Sequence, residues 1–256
     1  MKASVLWLSL AEFRANWAYP PLIMLECAAT TVRVAALGAL WQATSGNSGP
    51  APAAEVVLGM SIYSLASTGL VTDMGVRIRE GDLATDMVRP MDIQTTCLAR
   101  AFGQCAFQAL TQAIPACVVG AVIFPMHFGS LFDLTLGAVS ILLGALILNA
   151  FDFVLGVLTL WTENIFSLPV ASRTIVQLAS GAMIPLAVLP PAAGRMLQSL
   201  PFGSAISAPS KYLLGIGVPE MWWRPLLVQL VWIIVFLLVG RIVWVLSRAR
   251  FLAWTD

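Results

Sequence analysis

The sequence predicts an all-α membrane protein of about six transmembrane helices, with an N-terminal interfacial amphipathic helix and outer re-entrant helices before the last span. Three observations carry this reading. The hydrophobic fraction is 59% and the mean hydropathy +0.87. Charged residues make up only 11%, where a soluble domain usually has about a quarter. The apolar residues also fall into runs of about 20, long enough to cross a hydrocarbon core of roughly 30 Å. A length of 256 residues could suit one or two soluble domains, but it is better accounted for by spans within one transmembrane domain, 1–256.

The elements follow in chain order. Residues 2–17 place Leu6, Leu10, Phe13 and Trp17 on one helical face and Lys2, Ser9, Glu12 and Asn16 elsewhere. That is the pattern of a helix lying in the membrane interface over 1–20. Glu12 and Arg14 interrupt the apolar core that a signal peptide would need. Spans are predicted at about 22–41, 56–71, 98–124, 134–158, 170–189 and 226–246, the second being short. Between the last two, 190–224 is too apolar for a free loop and too broken by Pro190, Pro191, Pro201, Pro209 and Pro219 for a regular span. Irregular backbone at membrane depth is tolerated only when buried in protein or lining water, so short re-entrant helices are expected, with Trp222 and Trp223 in an aromatic belt.

Orientation follows from the basic residues. Six spans put both termini on one side. Placing them inside leaves Lys2, Arg14, Arg77, Arg79, Arg89, Arg100, Arg173, Arg241, Arg248 and Arg250 cytoplasmic or at that interface, with Arg195, Lys211 and Arg224 outside and Arg33 within a span. The positive-inside bias supports cytoplasmic termini. The largest internal loop is then 72–96, which concentrates charges of both signs: Arg77, Arg79, Glu80, Asp82, Asp86, Arg89 and Asp92. Gly81 interrupts any helix running from Met74, Asp82 can cap a new one from Leu83, and Pro90 stops it. Asp92 can cap the third span. A loop that only held anionic lipid would be mostly basic. Mixed signs interleaved with Ile78, Leu83, Met87 and Val88 suit docking against a folded protein.

Polar residues inside spans are candidates for a path or for helix packing. Glu26 and Arg33 lie seven apart on nearly one face of the first span, with Thr30 between them, and either pair or face a cavity. Gln104, Gln108 and Gln112 continue a stripe from Arg100 along the third span, explained by interhelical hydrogen bonds or by a water-filled path. Asn149 and Asp152 lie toward one end of the fourth. The four cysteines, Cys27, Cys97, Cys105 and Cys117, form no C-x-x-C pair, and His127 is the single histidine. Neither a disulfide framework nor a metal site nor a catalytic set is expected, and no nucleic-acid partner.

The run Ile78-x-x-Gly81-Asp82-Leu83 followed by Arg89-Pro90 resembles the cytoplasmic loop of ABC type-2 exporter permeases, where an I-x-x-G-[ED]-L…L-x-R-P pattern lies between the second and third of six spans. Downstream, Gly181-Ala-Met-Ile-Pro185-Leu-x-x-Leu-Pro190, then Leu200-Pro201-Phe202, Pro209 and Gly215, resembles the same family's fifth span and the outer segment after it. The resemblance implies that Ile78, Arg79, Glu80, Gly81, Asp82, Leu83, Arg89 and Pro90 form a coupling region contacting an ATP-binding subunit. It also implies that Glu26, Arg33, Gln104, Gln108 and Gln112 are candidates for the translocation path, and that Pro190, Leu200, Pro201, Phe202 and Pro209 belong to an extracytoplasmic gate.

No G-x-x-x-x-G-K-[ST] phosphate loop occurs in the chain. No cofactor is therefore expected here, and ATP with Mg2+ is expected on separate ABC ATPase subunits. The other implied partners are membrane lipids and a second permease, either a copy or a paralogue. The implied location is a bacterial cytoplasmic (inner) membrane, and the role is export rather than enzymatic turnover. Two other classes also fit the polar residues and the loop: an ion-coupled secondary transporter, and a non-transporting membrane anchor for a peripheral protein.

Overall fold

Helix is the local answer to a backbone without water, because each amide then finds its partner within its own segment. The computed structural model describes residues 2–44, 51–83, 92–162, 167–216 and 221–255, and no strand occurs among them. Helix α1 (Lys2–Ala15) leads through a 3-10 turn, Asn16–Ala18, to α2 (Pro20–Thr44). Helices α3 (Ala51–Ala66) and α4 (Leu70–Glu80) follow. Next come α5 (Ile93–Ile123), α6 (Leu131–Leu158) and α7 (Ser167–Ala179). The last three are α8 (Pro191–Ser199), α9 (Pro201–Leu214) and α10 (Trp223–Thr255).

Among the described residues five helical stretches are long and apolar enough to cross a membrane: Pro20–Thr44, Pro52–Glu80, Ile93–Ile123, Leu131–Trp161 and Trp223–Arg248. The second reaches further than expected. It runs through a break at 67–69 into α4, where Gly69 adopts a left-handed φ of 71°, a conformation costly for any residue with a Cβ.

The fifth predicted span, 170–189, is not one continuous helix. Its helix, α7, has 13 residues, about 20 Å of rise. Gly181 turns the chain at φ 84°, and Pro185 lacks an N–H and disfavours helix at the residue before it. The indole of Trp41 donates to the carbonyl of Met183 at 2.9 Å, so this irregular backbone has a partner at membrane depth.

The residues 190–216 form two short helices. Pro201 opens α9, and Gly215 closes it with φ 62°, Ile216 N–H bonding to the Lys211 carbonyl at 3.1 Å. Pro209 within α9 removes the bond to the Ala205 carbonyl. That carbonyl lies so close to Gly144 of α6 that a Cβ there would stand 2.2 Å from it. A buried polar knot fixes the contact: Gln229 of α10 donates to the carbonyls of Ser204 at 2.8 Å and Ser140 at 3.1 Å, and accepts from the Ser140 hydroxyl.

The core lies along α3 and α6. Val56, Val57 and Met60 meet Ile147 and Leu148 of α6, Ile206 of α9 and Val34 of α2. A second cluster at the charged end joins Leu70, Met74 and Leu83 to Ile93, Cys97, Phe153, Val157 and Trp244. Helices α2 and α10 are peripheral and expose Leu22, Leu25, Val32, Ile234 and Leu238.

Candidate functional site

At the charged end, α4 has two different faces. Leu70, Val71, Met74 and Gly75 are buried, and Gly156 lets Met74 come so near that a Cβ would stand 2.7 Å from its sulfur. The opposite face exposes Asp73, Arg79 and Glu80. Asp73 and Arg77 form an ion pair one turn apart at 3.5 Å. Helix α4 ends where expected, at Gly81, with φ 79° and nothing within 4 Å of a would-be Cβ. Asp82 follows, exposed, and then Leu83, with no exposed surface, between α4, α5, α6 and α10. Ile78 packs against the same cluster, half-buried. Arg89 and Pro90 lie outside the described residues, as do Asp86, Met87 and Val88.

Asp92 occupies the N-cap position of α5, but its carboxylate makes no cap hydrogen bond. It pairs with the Arg241 guanidinium of α10 instead. An ion pair to a neighbouring helix has thus displaced the expected cap.

Helix α1 joins this end. A Cβ at Gly103 of α5 would lie 2.2 Å from the Ser9 carbonyl and 3.1 Å from the Glu12 Cβ, so the two helices touch backbone to backbone there. Leu6, Trp7 and Leu10 face outward, while Phe13 and Trp17 make edge-on contacts with Phe107. Burial pushes the Glu12 carboxyl above its ordinary value; nearby Asp73 adds to this and Arg77 opposes it. Helix α1 is therefore electrostatically coupled to α4.

The five sequence-predicted path residues, Glu26, Arg33, Gln104, Gln108 and Gln112, all line one cavity of about 370 Å³ between α2, α3, α5 and α7. Gln104 accepts from Asn16 at 2.7 Å. Gln108 donates to the Ser67 carbonyl at 3.0 Å, in the break between α3 and α4. Gln112 donates to Glu26 at 3.1 Å and accepts from Thr30 at 3.2 Å. Glu26 and Arg33 do not form an ion pair with one another among the described residues; both are exposed on the isolated chain.

A π turn, Ala109–Ala113, interrupts α5 between the glutamines, and Ile114 N–H bonds back to the Ala109 carbonyl. Pro115 supplies a cause, since it removes the N–H that would bind Thr111. Four residues advance about 400° on an α-helix, some 40° past a full turn. A π turn is wider, so it returns Gln112 toward the line of Gln104 and Gln108.

Ser64, Ser67, Thr68, Tyr63 and Arg173 complete the wall and were not singled out from the sequence. The recurrence of Ser61, Ser64, Ser67 and Thr68 along one short span was the available signal. Thr68 donates to Asn149 at 2.7 Å, and Ser172 to Asp152 at 3.3 Å.

The sequence-predicted gate residues lie at the other end. Pro190 precedes α8 and is exposed, while Leu200 caps α9, Pro201 and Pro209 are buried within it, and Phe202 packs edge-on against Phe151 at 4.9 Å. Phe202 is thus held within its own chain. Glu55 of α3, also buried and not anticipated, accepts from Ser207 at 3.3 Å. Tyr212 donates to the Trp222 carbonyl, and Gly129 N–H to the Leu213 carbonyl at 2.9 Å, tying the connections together.

No curated protein matches the sequence. A family model described as ABC-2 family transporter protein matches residues 53–253, from the start of the central helix α3 to the last turn of α10, and includes α4, the glutamine stripe and α9. The match spans well over half of the chain, and the protein belongs to the ABC-2 family of transporter proteins.

Proposed function

We propose that this protein is the membrane-spanning permease subunit of an ATP-driven exporter. It forms the translocation path with a second copy or a paralogue in the bacterial inner membrane, with both termini cytoplasmic, and is driven by separate ATPase subunits that carry ATP and Mg2+. The observation that carries the coupling role is the construction of the turn at Gly81. Exposed charges at Arg79, Glu80 and Asp82 face away from the bundle, while Leu83 is fully buried among residues of α5, α6 and α10. A partner that displaces the charged face must move Leu83, and a close-packed core passes that displacement to three other helices rather than absorbing it. Family membership supports the same reading.

Exchanging the charges, Arg79→Glu with Glu80→Arg, tests this. Both residues are exposed, so insertion and folding stay intact. Retention of the ATPase on the purified permease falls about tenfold, or ATP turnover continues without transport, as expected when charge complementarity is inverted. Unchanged ATPase retention together with full ATP-dependent export would remove the coupling assignment.

A further inference from the structure

We infer that Glu55 is a positioning residue of the outer gate: its carboxylate takes the Ser207 hydroxyl in the state described and the Lys211 ammonium in the opposite one, as α3 slides along α9. The inference rests on the reading of this chain as a permease whose outer gate includes α9, and adds the side chain that sets the gate's two positions.

The carrying observation is a buried carboxylate with too few partners. Glu55 lies in the first turns of α3, is 6% exposed and accepts one hydrogen bond, from Ser207 at 3.3 Å. A carboxylate can accept about four, and burying one without a cation or several donors is costly. Lys211 stands one turn beyond Ser207 on the same face of α9. It is half-buried and within electrostatic reach of Glu55. Yet the two form no ion pair among the described residues. The counter-charge is therefore built into α9 but not seated. Four residues rise about 6 Å, and the lysine stem spans part of that, so a displacement of one turn or less seats it.

A second observation says which element is free to move. Helix α9 is fastened to α6 and α10 by Gln229 and by the approach of the Ala205 carbonyl to Gly144. Helix α3 has no such fastening. Ser61 and Ser64 bond to carbonyls of their own helix, and the bond of Glu55 to Ser207 is the one side-chain hydrogen bond from α3 to another helix among the described residues. Val56, Val57 and Met60 pack against its neighbours without directional preference. Through 67–69, α3 leads into α4, whose exposed charges form the proposed docking face, and it carries Glu55 about 17 Å from that break. Motion of α4 then reaches the outer gate as an exchange of partners on one carboxylate, a shift between two packed positions.

The test reads the register of α3 against α9 in the complete complex of permease and ATPase in native membranes. The two helices run antiparallel, Gly59 lying beside Ile206 and Glu55 beside Ser207, and Ala54 and Leu58 cluster with Leu214. Bringing Lys211 opposite Glu55 moves Leu214 one turn along α3, from Ala54 towards Leu58. With Cys27, Cys97, Cys105 and Cys117 replaced, Leu214→Cys is paired with Ala54→Cys or Leu58→Cys and oxidised, without nucleotide and after trapping with ATP and vanadate. The ratio of the two disulfides should differ between the conditions, since each needs Cα atoms within about 7 Å. Glu55→Gln keeps an acceptor for Ser207 but attracts no cation, and Lys211→Met removes the cation. In both variants the ratio should be the same in the two conditions. An unchanged ratio in the parent complex while it hydrolyses ATP overturns the inference and leaves the permease reading in place. A ratio that still responds to nucleotide in both variants removes Glu55 from the role. If Glu55→Gln disrupts the complex and Lys211→Met keeps the parent's response, Glu55 is structural only, which also overturns the inference. An intact permease that binds no ATPase removes the permease reading and the inference with it.

Discussion

Asn149 sits in the apolar helix α6 with no exposed surface and three partners. It accepts from Thr68 at 2.7 Å and donates to the Ala145 carbonyl at 2.8 Å and to the Cys105 sulfur at 3.3 Å. Thr68 belongs to the break between α3 and α4, so this bond anchors that break to α6. Leucine is close to asparagine in shape but supplies neither acceptor nor donor, and the hydroxyl of Thr68 then loses its partner. Asn149→Leu should cost about 1–3 kcal/mol, a fall of several degrees in the midpoint of thermal unfolding in detergent. Thr68→Val should cost less, and the double variant should fall short of the sum of the two by about 1 kcal/mol, because both remove one shared bond. Strict additivity in that cycle would show that the break is not held by this pair.

At the scale of elements, α1 meets α5 backbone to backbone at Gly103, beside the Asn16–Gln104 bond and the contacts of Phe13 and Trp17 with Phe107. Gly103 brings the Ser9 carbonyl within 2.2 Å of where a side chain would begin, and no backbone atom can yield that far without the helices separating. Gly103→Val should therefore lift α1 from α5 while leaving the spans inserted. A spin label at Leu6, which faces outward, should gain mobility, and the bond from Asn16 to Gln104 should be lost. An unchanged spectrum in the variant would mean that α1 is held elsewhere.

Sequence was a good guide at this scale where length and apolarity suffice, as for α2, α5, α6 and α10. It also located the turn at Gly81, which needs only a residue tolerant of positive φ. The end of α7 was harder to read, although Gly181 and Pro185 were both in view, because the irregular stretch is stabilised by an indole from α2, 142 residues away. The cavity was half legible. Its glutamines repeat at steps of four, a pattern within one helix, whereas Ser67 and Arg173 reach it only through the break between α3 and α4 and the placement of α7. Asp92 was read as a cap and serves as the partner of Arg241, a choice made by tertiary proximity.

For the whole molecule, the open question is what covers α2. Glu26 and Arg33 are exposed on the isolated chain within a helix long and apolar enough to span, where each lipid-exposed charge costs roughly 3 kcal/mol or more. Leu25 and Val32 are exposed beside them. A second permease laid against this face would remove the charges from lipid and close the polar cavity, and two copies would do so with the same patch on each side of a twofold axis. Residues 29, 32 and 36 lie along that face at helical spacing. Replacing Cys27, Cys97, Cys105 and Cys117 and then placing a single cysteine at Ala29, Val32 or Ala36 should yield oxidant-dependent dimers in native membranes, since a disulfide needs Cα atoms within about 7 Å. A cysteine at Val122, exposed on α5, should stay monomeric. If none of the three positions crosslinks while the complex with its ATPase remains intact, the two protomers do not meet through α2.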